Sequence, residues 1–525
     1  TGMLRAMPPD TAVLLLVGPG NNGGDALQAG RLLARAGFDV RASAVASLIS
    51  APPRAPDAAA AWAAWRDDGM SLLALEDEAV WPRQALVVDG LFGIGLTRGL
   101  PSSIAPLLDW IARSRAAVLA IDVPSGINAD TGEAVEGGRV VRADVTVTMI
   151  ADKPGLHTGL GLVSAGRVVV ALLTDEADAS PRGHGTLVVR GVKADAVLLD
   201  SAAVGRLLPT RRIDAHKGTS GDVLVIGGRL GMAGAGRLAA RGALAAGAGK
   251  VWIAGDPAAT DAADPSRPEI MRNTMTADEA MSTSAKVIVI GCGLGQDRQA
   301  KGYLEAVTAS GAVMVCDADA LNLVSAAPRL ARLIGQRGYP TILTPHPLEA
   351  ARLLAWPTAR VQADRITAAV ELAKRFEAVV ALKGAGTVVA DASGHYAINT
   401  SGNPVLASGG TGDVLAGIIA ALAAGLLAGA KAGKPSGSGA STGSGGYASS
   451  PKSLVPAGFT EMAANDPAGV AAAAACAGVW LHGAAADLAA RRLGPAGVPA
   501  GVIADLLPLV LRRELQTATC IARAV

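Results

Sequence analysis

Short β-branched apolar runs alternate with Ala/Leu/Arg-rich helical stretches along almost the whole chain, and that alternation leaves few folds open. Runs that read as strands cover residues 13–17, 40–46, 85–88, 118–121 and 145–150. A second series covers 223–226, 251–254, 287–290, 313–316, 341–343, 379–382 and 387–390. Strands separated by helices form parallel sheets covered on both faces. Two such series exceed one sheet, so the pattern predicts an α/β chain of two doubly wound domains. A polar, Gly/Pro-containing break at residues 177–185 puts the boundary near 185–200, giving domains 1–194 and 195–525.

Composition narrows the classes further. The chain has 525 residues, 50% hydrophobic and 18% charged, which suits folded domains with full cores. Lysine and arginine number 47 against 45 acidic residues, with no basic block, so neither nucleic acid nor a membrane is an expected partner. Cys292, Cys316, Cys476 and Cys520 lie far apart without a C-x-x-C pair, which excludes a zinc or disulfide framework and predicts a cytoplasmic protein. Residues from Thr1 onward lack the charged-then-apolar pattern of an export signal. The longest uncharged run, residues 414–430, stops short of the roughly 20 residues of a bilayer span and reads as a buried core helix. A Gly/Ser-rich stretch, residues 429–450, reads as a surface insertion reaching to about 466 and carrying no chemistry.

"VLLLVGPGNNGGDAL" (residues 13–27) places Gly18, Gly20 and Gly23 in a G-x-G-x-x-G pattern after a strand, the outline of a dinucleotide site. Such a site needs an acid about 20 residues on for the ribose hydroxyl, and "DVRASAV" supplies none at its end. Three more polar turns follow strands in this half. "VVDGLFGIGLTRG" places Asp89 at a strand end before a Gly-rich, anion-cradling loop. "AIDVPSG" places Asp122 and Ser125, and "TMIADKPGL" places Lys153. Ligands in open α/β sheets bind beyond the carboxyl ends of the strands, so these turns should converge. A single such Asp is as readily an N-cap. Oxygens on Asn22, Asp89 and Ser125 suit a hard cation.

"NNGGDAL", "DGLFGIGLTRG" and "IDVPSG", in this order, resemble the N-terminal domain of the YjeF family, the NAD(P)H-hydrate epimerase. The resemblance implies a Rossmann-like domain in which Asn21, Asn22, Gly23, Gly24 and Asp25 bind the hydrate. Gly93, Ile94, Gly95, Leu96, Thr97, Arg98 and Gly99 would join them, with Asp122 as the acid/base. It further implies a potassium ion held by Asn22, Asp89 and Ser125. Family members usually carry a helix before the first strand, where this chain has "MLRAMPPD".

In the second half, "NPVLASGGTGDVLAGII" places Gly409, Gly410 and Gly412 in a loop before an apolar helix. Free N–H groups there can hold a phosphoryl group in transfer, with Asp413 at the helix start to deprotonate the attacking hydroxyl. The string resembles the ribokinase superfamily. With "HKGTSG", "VIGCGLGQD", "CDADALNLV", "TPHPLEAARLL" and "KGAGT" it is similar to the ADP/ATP-dependent NAD(P)H-hydrate dehydratase. That likeness implies a nucleotide site at Lys383, Gly384, Ala385, Gly386, Thr387 and Gly412. It implies a hydrate site at Ala233, Gly293, His346 and Asp413, with Mg²⁺ and ADP or ATP. The expected activity is epimerisation of R and S NADHX and NADPHX, followed by dehydration of the S form in a homo-oligomer. Two rivals stand beside it: a vitamin-precursor kinase of the ribokinase superfamily fused to a ligand-binding or scaffold domain, and, last, an NAD-dependent dehydrogenase.

Overall fold

A computed structural model of the chain describes residues 11–78, 81–82, 85–114, 116–171, 196–209, 214–218, 220–255, 264–432 and 467–524. Contacts divide the chain into two compact units, Thr1–Val192 and Lys193–Val525. The expected 194/195 boundary, the "MLRAMPPD" stretch and most of the Gly/Ser insertion lie outside the described residues.

The first unit is built on seven strands: β1 (Ala12–Val17), β2 (Val40–Ala44), β3 (Leu73–Ala74), β4 (Ala85–Gly90), β5 (Ala117–Ile121), β6 (Val145–Met149) and β7 (Arg167–Ala171). They form one sheet in the order β3-β2-β1-β4-β5-β6-β7, every pair parallel. This is a Rossmann-like order whose direction reverses between β1 and β4, the position at which open α/β sheets bind ligands beyond the strand ends. Side chains alternate across β1: Val13, Leu15 and Val17 pack under Leu27 and Trp65, while Leu14 and Leu16 pack against Leu107 and Leu108. Each such buried side chain contributes about 1.5–3 kcal/mol, and a one-residue slip would exchange the two faces, so the register is strongly set.

The second unit adds β8 (Ala196–Leu199), β9 (Asp222–Ile226), β10 (Lys250–Gly255), β11 (Ile270–Thr274), β12 (Val287–Ile290), β13 (Val313–Cys316), β14 (Thr341–Leu343), β15 (Val379–Leu382), β16 (Val388–Ala390) and β17 (Tyr396–Asn399). Their order is β11-β10-β9-β12-β13-β14-β15-β16-β17-β8, with the reversal between β9 and β12. Pairing is parallel except at β15–β16 and β16–β17. Val223 and Val225 enter a core shared with helices Ala233–Ala245, Thr411–Ala432 and Pro467–Leu493, while Leu224 and Ile226 enter the opposite core.

Small residues let these helices approach closely. A Cβ on Gly417 would lie 1.9 Å from the Ala239 carbonyl oxygen. The segments Thr411–Gly429 and Pro467–Leu493 are long and apolar enough to cross a membrane, yet both are mostly buried inside this unit. Burial, rather than lipid, satisfies the apolar run that begins at Val414.

Candidate active sites

In the first unit, β1 runs through Gly18-Pro19-Gly20 into the helix Asn21–Arg35. Asn21, Asn22, Gly23, Gly24 and Asp25 are therefore the first turn of a helix, not the loop the glycines suggested. Close packing explains this. A Cβ on Gly23 would stand 2.0 Å from the Gly18 carbonyl oxygen, so only hydrogen fits where the turn folds over the helix start. Asn22 is buried, and both polar atoms of its amide lack a hydrogen-bond partner. Such an orphaned group costs about 1–3 kcal/mol and points to a ligand.

Asp89 sits beside it at the end of β4, fully buried. Its carboxylate accepts hydrogen bonds from Ser125 N (2.8 Å), Ser125 Oγ (2.7 Å) and Leu91 N (3.2 Å). Burial pushes this carboxyl up and the bonds from Ser125 and Leu91 pull it back. Ser125 Oγ also lies 2.9 Å from Phe92 N and 3.1 Å from the Phe92 carbonyl oxygen.

Asp122 follows β5 in the left-handed region, φ +67°, a conformation that non-glycine residues rarely hold outside functional sites. Its Oδ1 meets Lys153 Nζ at 2.5 Å, and a Cβ on Gly93 would lie 3.5 Å from Asp122 Oδ2 and from Asn22 Cγ. Asp25, exposed on the helix, has its carboxyl raised by partial burial and then by the charges of Asp122 and Asp57. Gly93, Leu96 and Gly99 are half-buried, and Ile94, Gly95, Thr97 and Arg98 are exposed. The expected anion cradle needs one correction: the Gly99 amide donates to Glu136 Oε2 at 3.0 Å, so that donor already holds a carboxylate.

In the second unit the loops after β9 and β12 are joined by Gly228 N to Cys292 O (2.9 Å) and Arg229 N to Gly293 O (2.8 Å). Gly293 lies beside Met232, directly before the helix that Ala233 begins. Asp413 stands in the first turn of Thr411–Ala432; Gly412 is inside the helix rather than in the loop before it. Sγ of Cys292 and carboxylate oxygens of Asp317 and Asp413 lie within 4.8 Å of one another. Lys383 Nζ donates to Asp317 Oδ1 at 2.7 Å, and a Cβ on Gly412 would lie 3.3 Å from that ammonium.

The electrostatics follow from this packing. Burial, then the Asp317 charge, pushes Asp413 up to about 6, moderated by a hydrogen bond from Cys292 and by Lys383. Burial and the neighbouring Asp413 and Asp317 charges hold the Cys292 thiol well above its usual value. Burial opposes charge on Lys383, but Asp317 and Glu349 outweigh it and keep the ammonium above the ordinary lysine range.

His346 is the N-cap of the helix Pro347–Leu354: its Nδ1 accepts from Leu348 N (3.1 Å) and Glu349 N (3.3 Å). Glu349 returns the bond, accepting from His346 N at 2.8 Å. Burial lifts its carboxyl to about 7, against the pull of Lys383. Lys383 to Thr387 form a turn closed by Gly384 N to Thr387 Oγ1 (3.3 Å), over the buried guanidinium of Arg365. The expected nucleotide contact Lys383 thus turns its ammonium inward, toward Gly412 and Asp317. Cys292, Asp317, Glu349 and Lys153 are site residues that the motif reading quoted without assigning. Asp317 follows β13 just as Asp122 follows β5, which is the signal that could have found it.

Both units are similar to known proteins. A family model described as YjeF-related protein N-terminus matches residues 2–155, and one described as NAD(P)H-hydrate dehydratase matches residues 223–440. A bifunctional NAD(P)H-hydrate repair enzyme from Coxiella burnetii is 37% identical over 75% of this chain and 77% of its own length. Its counterpart from Moorella thermoacetica is 34% identical over 97% of this chain and 89% of its own. Among solved structures, an ADP/ATP-dependent NAD(P)H-hydrate dehydratase from Bacillus subtilis, co-crystallized with ATP/Mg²⁺, is 28% identical. It covers 61% of this chain and 98% of its own, with a TM-score of 0.47.

Proposed function

The chain belongs to the family of bifunctional NAD(P)H-hydrate repair enzymes, and from that premise we propose how its residues divide the work. The first unit epimerises the R and S hydrates of NADH and NADPH, and the second dehydrates the S form at the expense of ADP or ATP.

In the second unit, Asp413 takes the proton of the hydrate's hydroxyl as that oxygen attacks the terminal phosphoryl group of the nucleotide. The N–H groups at Gly410 and Gly412 and the Lys383 ammonium receive the charge in transfer. The ring nitrogen then helps expel phosphate in place of hydroxide, a far poorer leaving group, and loss of a proton from the adjacent ring carbon to water restores the double bond of the dihydropyridine. The observation that carries this reading is Asp413 itself: a half-buried carboxylate at a helix start, within 4.8 Å of the Asp317 carboxylate that holds the Lys383 ammonium. Lys383 to Thr387 receive the nucleotide, and Ala233, Gly293 and His346 receive the hydrate. Asp317 and Asp413 offer oxygen donors to Mg²⁺, while the Cys292 thiol is too soft for it. That donor set suits an ion carried in on the nucleotide's phosphates.

In the first unit, Asp122 is the acid/base at the hydrated ring carbon, and Asn22, Gly93 and their neighbours hold the substrate. A potassium ion at Asn22, Asp89 and Ser125 would offset a fully buried carboxylate whose hydrogen-bond partners among the described residues are all neutral, and would occupy the orphaned Asn22 amide oxygen. The chain's buried, unpaired Cys292, Cys316 and Cys476 suit a cytoplasmic setting.

The deciding experiment follows near-ultraviolet NADH absorbance on a mixed R/S NADHX sample with Mg²⁺, first with ADP and then with ATP. Complete recovery supports both activities, and the faster nucleotide identifies the donor. Recovery that stops when the S form is consumed removes the epimerase. No recovery with either nucleotide overturns the reading.

A further inference from the structure

Lys153, which follows β6, is the one motif residue of the first unit that neither the hydrate contacts nor the potassium site absorbs. Its ammonium has three donors, and all three are placed: on Asp122 Oδ1 at 2.5 Å, on Thr148 Oγ1 at 2.7 Å and on the Met149 carbonyl oxygen at 2.8 Å. Its side chain and that of Asp122 are largely buried, 15% and 13% exposed, so the pair is shielded from solvent far more than a surface ion pair.

The arrangement makes the two oxygens of Asp122 unequal. Oδ1 receives Lys153, with Thr148 Oγ1 and Met149 N further off, each at 3.4 Å. Oδ2 has no such bond among the described residues and points to Gly93, where a Cβ would lie 3.5 Å from it and equally far from Asn22 Cγ. Asp122 also sits at φ +67° with its N–H bonded to the Val147 carbonyl oxygen at 2.8 Å, which fixes the point where its side chain leaves the main chain. A saturated lysine on one oxygen therefore leaves the other as the reacting atom.

We propose that Lys153 is a positioning residue for epimerisation: it holds Asp122 by Oδ1 and presents Oδ2 to the hydrated carbon between Gly93 and Asn22. This rests on the assignment of Asp122 as the acid/base. Beyond geometry, the lysine offsets the like charge of Asp25, which faces Asp122 from the helix Asn21–Arg35.

The test uses the full-length enzyme, whose second activity reports on folding. Lys153→Met should lower the kcat of R-to-S conversion by about a hundredfold, as misplacement of a catalytic group does, while KM for the hydrate changes little and S-hydrate dehydration stays at the wild-type rate. Lys153→Cys treated with bromoethylamine, which rebuilds an ammonium of nearly the same reach, should recover most of the rate. Wild-type kcat in Lys153→Met, a rise in KM alone, or no recovery after bromoethylamine treatment of Lys153→Cys overturns the inference. If Asp122→Asn itself leaves epimerisation intact, the acid/base assignment fails first, and the two failures are told apart.

Discussion

Asp413 shows how burial sets chemistry at one residue. A base with its acid limit at about 6 is ionised at neutral pH and loses a proton-accepting form as pH falls through that value. Dehydration should therefore drop toward a tenfold loss per pH unit below about 6, read as the kcat profile of S-hydrate turnover. Asp413→Asn should cost about 10²–10⁴-fold in the same assay and leave epimerisation unchanged. Cys292 adjusts the limit, since its hydrogen bond stabilises the carboxylate. Loss of one bond to a charged group, about 1.5 kcal/mol, corresponds to roughly one pH unit. Cys292→Ala should move the limb upward by about that much, whereas Cys292→Ser, which keeps a donor, should hold it near its original place.

Helices and strands were legible in the sequence to the extent that burial on both faces wrote apolar runs into them. β1, β4, β9, β12 and β13 carry unbroken apolar runs, residues 12–17, 85–88, 223–226, 287–290 and 313–316, because each is covered above and below. β11 was not legible: four of its five residues are exposed, and "IMRNT" carries no apolar period. β3 and β17 are too short or too polar to announce themselves. The site shows the same limit. Motif spacing located Asn22, Asp122 and Asp413, but the Lys153–Asp122 and Lys383–Asp317 pairs join residues far apart in sequence, and only the sheet order brings them together. Helix contact also decides a case where two effects oppose. Gly417→Ala gains about 1 kcal/mol of helix propensity, yet the new methyl meets a carbonyl oxygen at 1.9 Å. Overpacking of about 1–3 kcal/mol should win, visible as a lower urea midpoint for the second unit.

Across the whole molecule, each unit carries its own sheet, its own cores and its own strand-order reversal with a site beside it. Two reactions on separate sites linked by a diffusible hydrate should be separable by single substitutions. Asp122→Asn should restore NADH only from the S fraction, Asp413→Asn from neither, and an equimolar mixture of the two variants should recover the full amount. Failure of the mixture would mean that the hydrate is not released between the steps.

The sulfur atoms give the molecule one further property. Cys292, Cys316 and Cys476 are buried and unpaired, with Cys316 and Cys476 pushed up to about 12 and Cys292 raised well beyond its usual value, all by burial. Peroxide and alkylating reagents attack thiolates, and at these positions almost no thiolate exists in the folded protein. A thiol lodged against the dehydration base is in this way chemically silent. Cys292, Cys316 and Cys476 should remain unmodified through an iodoacetamide challenge of the folded enzyme, read by mass spectrometry of their peptides, and carbamidomethylation at Cys292 under native conditions would contradict this.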